Sequence, residues 1–114
     1  MASAYKILGQ GQVGLATGVQ IIDTVPAGKS YIISSLNLSH AYPFTSLSNV
    51  SVYAVKSGES ASPSNAILYN VPMEANTDVS FTLGITLGPG ESLYGESDEY
   101  FNPTFTAFGE EITV

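Results

Sequence analysis

The clearest periodicity in the chain runs from Val79 to Leu87, where Val79, Phe81, Leu83, Ile85 and Leu87 alternate with Ser80, Thr82, Gly84 and Thr86. Period-2 alternation of this kind puts one face of a strand on a core and the other toward solvent, whereas a helix would scatter the five apolar residues around its circumference. Ser30 to Ser39 reads the same way, with Ile32, Leu36 and Leu38 on one parity and Asn37 and Ser39 on the other. Val50, Val52 and Ala54 repeat the pattern against Ser51 and Tyr53. Further strands are predicted at Ile21 to Val25, Ala66 to Val71, Ser92 to Glu96 and Phe105 to Val114. Turn chemistry separates them, at Pro26-Ala27-Gly28, Ser57-Gly58-Glu59, Glu74-Ala75-Asn76 and Gly88-Pro89-Gly90. Short strands at this spacing predict an all-β fold, a single antiparallel β-sandwich of the jelly-roll or immunoglobulin-like kind, and no segment has the composition of a stable helix.

Three regions fall outside the alternation. Residues 1–18 are glycine-rich and carry Tyr5, Ile7 and Leu8. They read as an N-terminal arm that either adds an edge strand to its own sheet or reaches a neighbouring subunit. The second region, Ala41 to Ser48, sets Tyr42 and Phe44 in a loop. The third, Gly95 to Pro103, combines Glu96, Asp98 and Glu99 with Tyr100 and Phe101. Loop aromatics are enriched at protein contacts, so Tyr42, Phe44, Tyr100 and Phe101 are candidate partner-contact residues, together with Tyr5, Ile7 and Leu8 of the arm, which can pair with a partner as an added strand.

At 114 residues the chain fits one domain, 1–114. Size scaling has about two thirds of its unfolded surface buried on folding, enough for a core without covalent staples. Net charge is −7, from ten acids against Lys6, Lys29 and Lys56. That balance argues against a nucleic-acid partner, since phosphate neutralisation needs clustered basic side chains. Charged residues make up 11% of the chain, below the ~25% of ordinary soluble domains, so Ser, Thr, Asn and Gln must supply the polar surface. This suits an assembly subunit. The absence of cysteine removes disulfides, thiolate nucleophiles and cysteine metal sites, and the single His40 leaves no multi-histidine centre within one chain. Met1 to Gln10 lacks the apolar core of a signal peptide, and no run approaches the ~18 residues that span a bilayer, so a soluble chain with no membrane partner is expected. Asn37-Leu38-Ser39 and Asn49-Val50-Ser51 match the glycosylation pattern, which matters only in a secretory lumen, and both read as ordinary strand residues.

Motifs that carry chemistry are few. Gly9-Gln10-Gly11-Gln12-Val13-Gly14 matches G-x-G-x-x-G, but Leu15 to Asp23 reads as loop and strand where the dinucleotide site needs a helix N-terminus, and Asp23 comes too early. A flexible glycine arm is the better reading. Glu96, Asp98 and Glu99 lack calcium-loop spacing, so a solvated acidic loop is favoured over a metal site. His40 has no nucleophile elbow beside it, and Glu110 and Glu111, adjacent in a strand, point to opposite faces. No catalytic, cofactor or metal residue is assigned, and no enzymatic activity is expected.

Five stretches occur together in order: Met1 to Gln10, Thr24 to Lys29, Asn65 to Pro72, Leu83 to Glu91 and Phe105 to Ile112. With them the chain resembles a group of small β-sandwich virion proteins of tailed bacteriophages, especially phages of cyanobacteria and related aquatic hosts. The likeness runs through nearly the whole chain. Tyr42-Pro43-Phe44 lengthens what is a short polar turn in that group, and the acidic stretch Glu96 to Glu99 replaces a neutral loop. The resemblance implies a capsid cement or decoration protein located in the virion, assembled in the host cytoplasm, with the major capsid protein or other virion proteins as partners and a homo-oligomeric, preferably trimeric, state. On this reading deletion of Met1 to Gln10 is expected to abolish particle binding and leave the fold intact. The alternatives are a tail, neck or fibre component, and a carbohydrate-binding module, which the absence of tryptophan weakens.

Overall fold

The computed structural model describes residues 2–12, 18–39, 48–73, 78–97 and 104–113. Eight strands follow one another, β1 (Ala2–Gln12), β2 (Val19–Ile22), β3 (Lys29–Ser39), β4 (Ser48–Val55), β5 (Ala66–Met73), β6 (Asp78–Leu87), β7 (Ser92–Ser97) and β8 (Thr104–Thr113), with a 3-10 turn at Pro63–Asn65. The Val79 to Leu87 alternation is realised in β6, where Val79, Phe81 and Ile85 pack against the core and Leu87 is buried. Lys29 N–H donates to the Pro26 carbonyl and Glu91 N–H to the Gly88 carbonyl, both at 3.2 Å. Gly28 and Gly90 hold φ of 79° and 83° at the third turn position, the geometry of type II turns that strains a side chain and favours glycine there.

The strands form two antiparallel four-stranded sheets, ordered β1-β8-β3-β6 and β2-β7-β4-β5. Strands adjacent in sequence mostly lie in opposite sheets, and the first strand pairs with the last. This is the jelly roll; an immunoglobulin-like sandwich would divide its strands differently between the sheets. Ile33, Leu36, Leu38, Val52, Leu93 and Phe105 are fully buried between the sheets, each contributing roughly 1.5–3 kcal/mol of apolar burial. No helix among the described residues is long and apolar enough to cross a membrane.

Of the glycine-rich N-terminal segment, Ala2–Gln12 form an edge strand of the first sheet. As β1 this strand pairs with β8 at ten positions, from Ala2↔Thr113 to Gln12↔Thr104. Gly9 therefore serves close approach in a strand, not arm flexibility: a Cβ there would collide with the Ile21 carbonyl oxygen of β2. Leu8 is the extra residue of a bulge and turns inward onto the core. The expectation that residues 1–10 can be removed without harm to the fold is thus corrected.

A second bulge corrects the reading of β3. Its register with β8 passes from Ile33↔Gly109 to Ser35↔Phe108, so Ser34 is an extra residue and the parity of the strand flips. Tyr31 and Ile33 face inward before it and Leu36 and Leu38 after it, which leaves Ile32 on the opposite face from Leu36 and Leu38. Beside this bulge Gly109 lies under the Ile32 carbonyl oxygen, which a Cβ at Gly109 would overlap. Gly109→Ala is expected to destabilise the fold by about 3 kcal/mol through overpacking against backbone, read as a lower urea midpoint.

On the inner parity of the first sheet, beyond the core, Glu111 accepts from Lys6 at 3.1 Å and Lys29 at 3.2 Å. The Lys6 hydrogen bond, with Lys29 in support and burial in opposition, lowers the Glu111 pKa from its ordinary value. A depressed folded-state pKa means that the stabilisation is complete above the unfolded value of about 4.3 and is lost as pH falls through the folded value. The gap in Tm between the protein and Glu111→Gln is therefore expected to be widest near neutrality and to close on acidification below about pH 4. A gap that stays constant over that range would contradict the assignment.

Candidate functional site: an apolar face on the first sheet

Registered neighbours on adjacent strands share a face, so the outer surface of the first sheet can be read row by row. One row is Gln10, Thr106, Asn37 and Ser80 across β1, β8, β3 and β6. It is polar and internally bonded: Gln10 Nε2 donates to Thr106 Oγ1 and Asn37 Nδ2 to Ser80 Oγ, both at 2.9 Å. The next row is Ile7, Phe108, Ser35 and Thr82, followed by Tyr5, Glu110, Ile32 and Thr86, then Ile112 and Ser30.

Those three rows gather Tyr5, Ile7, Phe108, Ile32 and Ile112 on one side of a rigid sheet. Tyr5 is 80% exposed, Ile7 55% and Phe108 37%, with Ile32 and Ile112 half-buried. Ile7 and Phe108 stand directly opposite each other, an aromatic and β-branched pair of the kind that stabilises a sheet. The Leu8 and Ser34 bulges flank Phe108 on both sides, and Ser34 Oγ donates to the Phe108 carbonyl at 3.3 Å. Bulges strengthen twist and re-aim side chains, and here they bring Ile32 onto the face that holds Ile7. The only carboxylate in these rows is Glu110, no lysine stands in them, and Ser and Thr form the rim. A contiguous apolar face with a polar margin marks an interaction surface more often than it marks idle exposure. The edge of β1 is less suited to adding a strand, since a bulge and the inward Lys6 discourage edge pairing.

Of the residues singled out from the sequence, Tyr5 and Ile7 lie on this face and Leu8 lies in the core. Tyr42, Phe44, Tyr100, Phe101 and His40 fall outside the described residues, as do Asp98, Glu99 and the Glu74-Ala75-Asn76 turn. Phe108, Ile32 and Ile112 were not anticipated. Phe108 was readable, because alternation from the buried Phe105 and Ala107 puts Thr106 and Phe108 on the other side. Ile32 was not, because its face depends on the Ser34 bulge.

Glu96 is a strand residue of β7, not part of a loop. Its carboxylate lies on the outer face of the second sheet and accepts from the Tyr53 hydroxyl at 3.0 Å. Burial, opposed by Ser51 and aided by the Glu96 charge, raises the Tyr53 pKa above its ordinary value. Among the described residues no group of three His, Cys, Asp or Glu side chains could hold a metal ion.

No protein-family model matches the chain, and no curated protein matches it. Solved structures do. One chain of the crystallised T13 viral particle of infectious bursal disease virus is similar with a TM-score of 0.57 at 8% identity, over 98% of this chain and 30% of that one. A chain of the Gx strain of infectious bursal disease virus is similar with a TM-score of 0.53 at 11% identity, over 99% and 32%. The present chain thus spans about a third of the length of either. At such identity the likeness shows a shared fold.

Proposed function

We propose that the chain is a structural protein of a virus particle, a cement or decoration protein that binds the outer capsid shell of a tailed phage and braces the joints between capsid subunits. The observation that carries this reading is the apolar face of Tyr5, Ile7 and Phe108, standing exposed on a jelly roll that is similar in fold to chains of viral particles. The sequence resemblance to small phage virion proteins points the same way. Burial of one large side chain contributes roughly 1.5–3 kcal/mol, and symmetry repeats each contact, so a small face gives firm attachment to a closed shell.

Charge narrows the partner. The chain carries −7, and two of its three basic residues are tied to Glu111. A neutral or basic shell surface complements it, and a homo-trimer at threefold positions would present several such faces together. No catalytic role belongs to this reading.

Immunogold labelling of intact particles with an antibody to the chain tests the location. Gold distributed over the head is the expected result. Gold confined to the neck, tail or fibres would overturn the capsid assignment in favour of a tail component.

A further inference from the structure

We propose that the outer face of the second sheet holds a binding pocket for a neutral sugar, a function separate from the apolar face on the first sheet. The pocket is a half-open cleft of about 410 Å³ on the sheet surface, a volume within the range of small-ligand sites, about 300–1,000 Å³. Strands supply Gln20, Ser92, Tyr94 and Glu96, and the segment after β4 supplies Glu59 and Ser60. Gln20 and Tyr94 are registered neighbours on β2 and β7, and Tyr94 is registered with Tyr53 on β4. Three paired strands therefore fix the floor, which is the placement that precise recognition requires.

The lining chemistry selects the ligand class. Two carboxylates, one amide and three hydroxyls offer many hydrogen-bond acceptors, and neither lysine nor arginine lines the pocket. An anion would meet repulsion, and a purely apolar ligand would strand the polar groups without partners. A neutral polyol brings several hydroxyl donors together with apolar C–H faces. Its hydroxyls can donate to Glu59 and Glu96 in charge-assisted bonds, and its C–H face can lie on the Tyr94 ring. The Tyr53 hydroxyl already donates to Glu96 Oε1 at 3.0 Å, which orients that carboxylate before any ligand arrives. The Tyr53 and Tyr94 rings, 6.5 Å apart and tilted by 52°, brace each other. A single ammonium group would satisfy the carboxylates yet leave the Gln20 amide oxygen, whose amide N–H donates to the Asp23 carbonyl at 3.2 Å, and Ser60 and Ser92 without a ligand, so a basic side chain fits less well than a sugar.

The test is a ¹H–¹⁵N NMR titration of the full chain with glucose, galactose, mannose and N-acetylglucosamine, with glucuronic acid and Nα-acetyl-lysine methylamide as comparisons. At least one neutral sugar is expected to give saturable shifts at the amides of Gln20, Ser60, Ser92 and Tyr94, with glucuronic acid weaker. Glu96→Gln and Tyr94→Ala are each expected to weaken binding about tenfold. Gln20→Ala, on the short edge strand, provides a third variant should Tyr94→Ala fail to fold, and Ile7→Asp is expected to bind as the unaltered chain does. Absence of saturable shifts with all four sugars, or tighter binding of the lysine derivative, would overturn the proposal. Because the pocket and the apolar face lie on different sheets, loss of sugar binding leaves the particle-binding result to be judged by itself.

Discussion

A chain shortened to begin at Val13 is expected to lose its cooperative unfolding transition and to aggregate in place of forming a single soluble species. The reason lies in the ten registered pairs that tie β1 to β8. Without β1, strand β8 becomes an edge ten residues long, rich in apolar side chains and free to pair with another chain. Leu8 leaves the core, a loss of about 2 kcal/mol. Each ladder hydrogen bond lost removes about 1 kcal/mol, and Glu111 keeps only Lys29 of its two basic partners. Summed over the strand, these losses are comparable to the whole stability of a small domain, about 5–15 kcal/mol. Circular dichroism melting and size-exclusion chromatography of the shortened chain provide the measurement. A sharp transition within a few degrees of the full chain, on a monomeric species, would show that β1 is the dispensable arm its glycine content suggests.

That contrast shows where sequence reasoning reached and where it stopped. β6 is legible because Val79, Phe81, Ile85 and Leu87 all turn to the core as the alternation predicts, and the turns at Gly28 and Gly90 are legible because a type II turn favours glycine at one defined position. β1 is not legible in the same way. Gly9 carries no side chain for periodicity to read, and its purpose is revealed only by the Ile21 carbonyl across the sandwich. Pairing of the first strand with the last is a long-range choice that no local pattern encodes. This is also why a jelly roll and an immunoglobulin-like sandwich stayed indistinguishable in one dimension. β4 shows a further limit: Val50 and Val52 alternate with Ser51 and Tyr53 as predicted, yet all four are buried, since Ser51 and Tyr53 are covered on the outer face as well.

The candidate face was half legible for the same reasons. Tyr5 and Ile7 stand out as apolar residues in a segment with little else to bury, and Phe108 follows from the parity of β8. Ile32 joins them through a single extra residue, Ser34, whose presence in the ladder changes which side of the sheet half a strand displays. A one-residue slip reverses every side chain beyond it, so a surface built around bulges is assembled by the register and not by the periodicity.

On the proposed capsid-binding role, the pair Ile7→Asp and Phe108→Asp is expected to abolish attachment to particles while leaving the fold in place. Both side chains are exposed, 55% and 37%, and stand opposite each other on β1 and β8. Loss of the pair's mutual contact, with like charges now facing one another, costs the isolated chain about 1 kcal/mol, a shift in Tm of a few degrees. Binding suffers far more. Each contact loses roughly 1.5–3 kcal/mol of apolar burial and gains a carboxylate that must be desolvated without a partner. Even about 3 kcal/mol per copy lowers affinity more than a hundredfold, and a symmetric array multiplies the loss at every joint. Tyr69→Asp is the matched control, because Tyr69 is 53% exposed but belongs to β5 of the other sheet. Cosedimentation of the purified variants with particles stripped of the chain is the measurement, with the Tyr69 variant expected to pellet as the unaltered chain does. Should the double variant pellet normally with an unchanged melting curve, the apolar face is not the attachment surface.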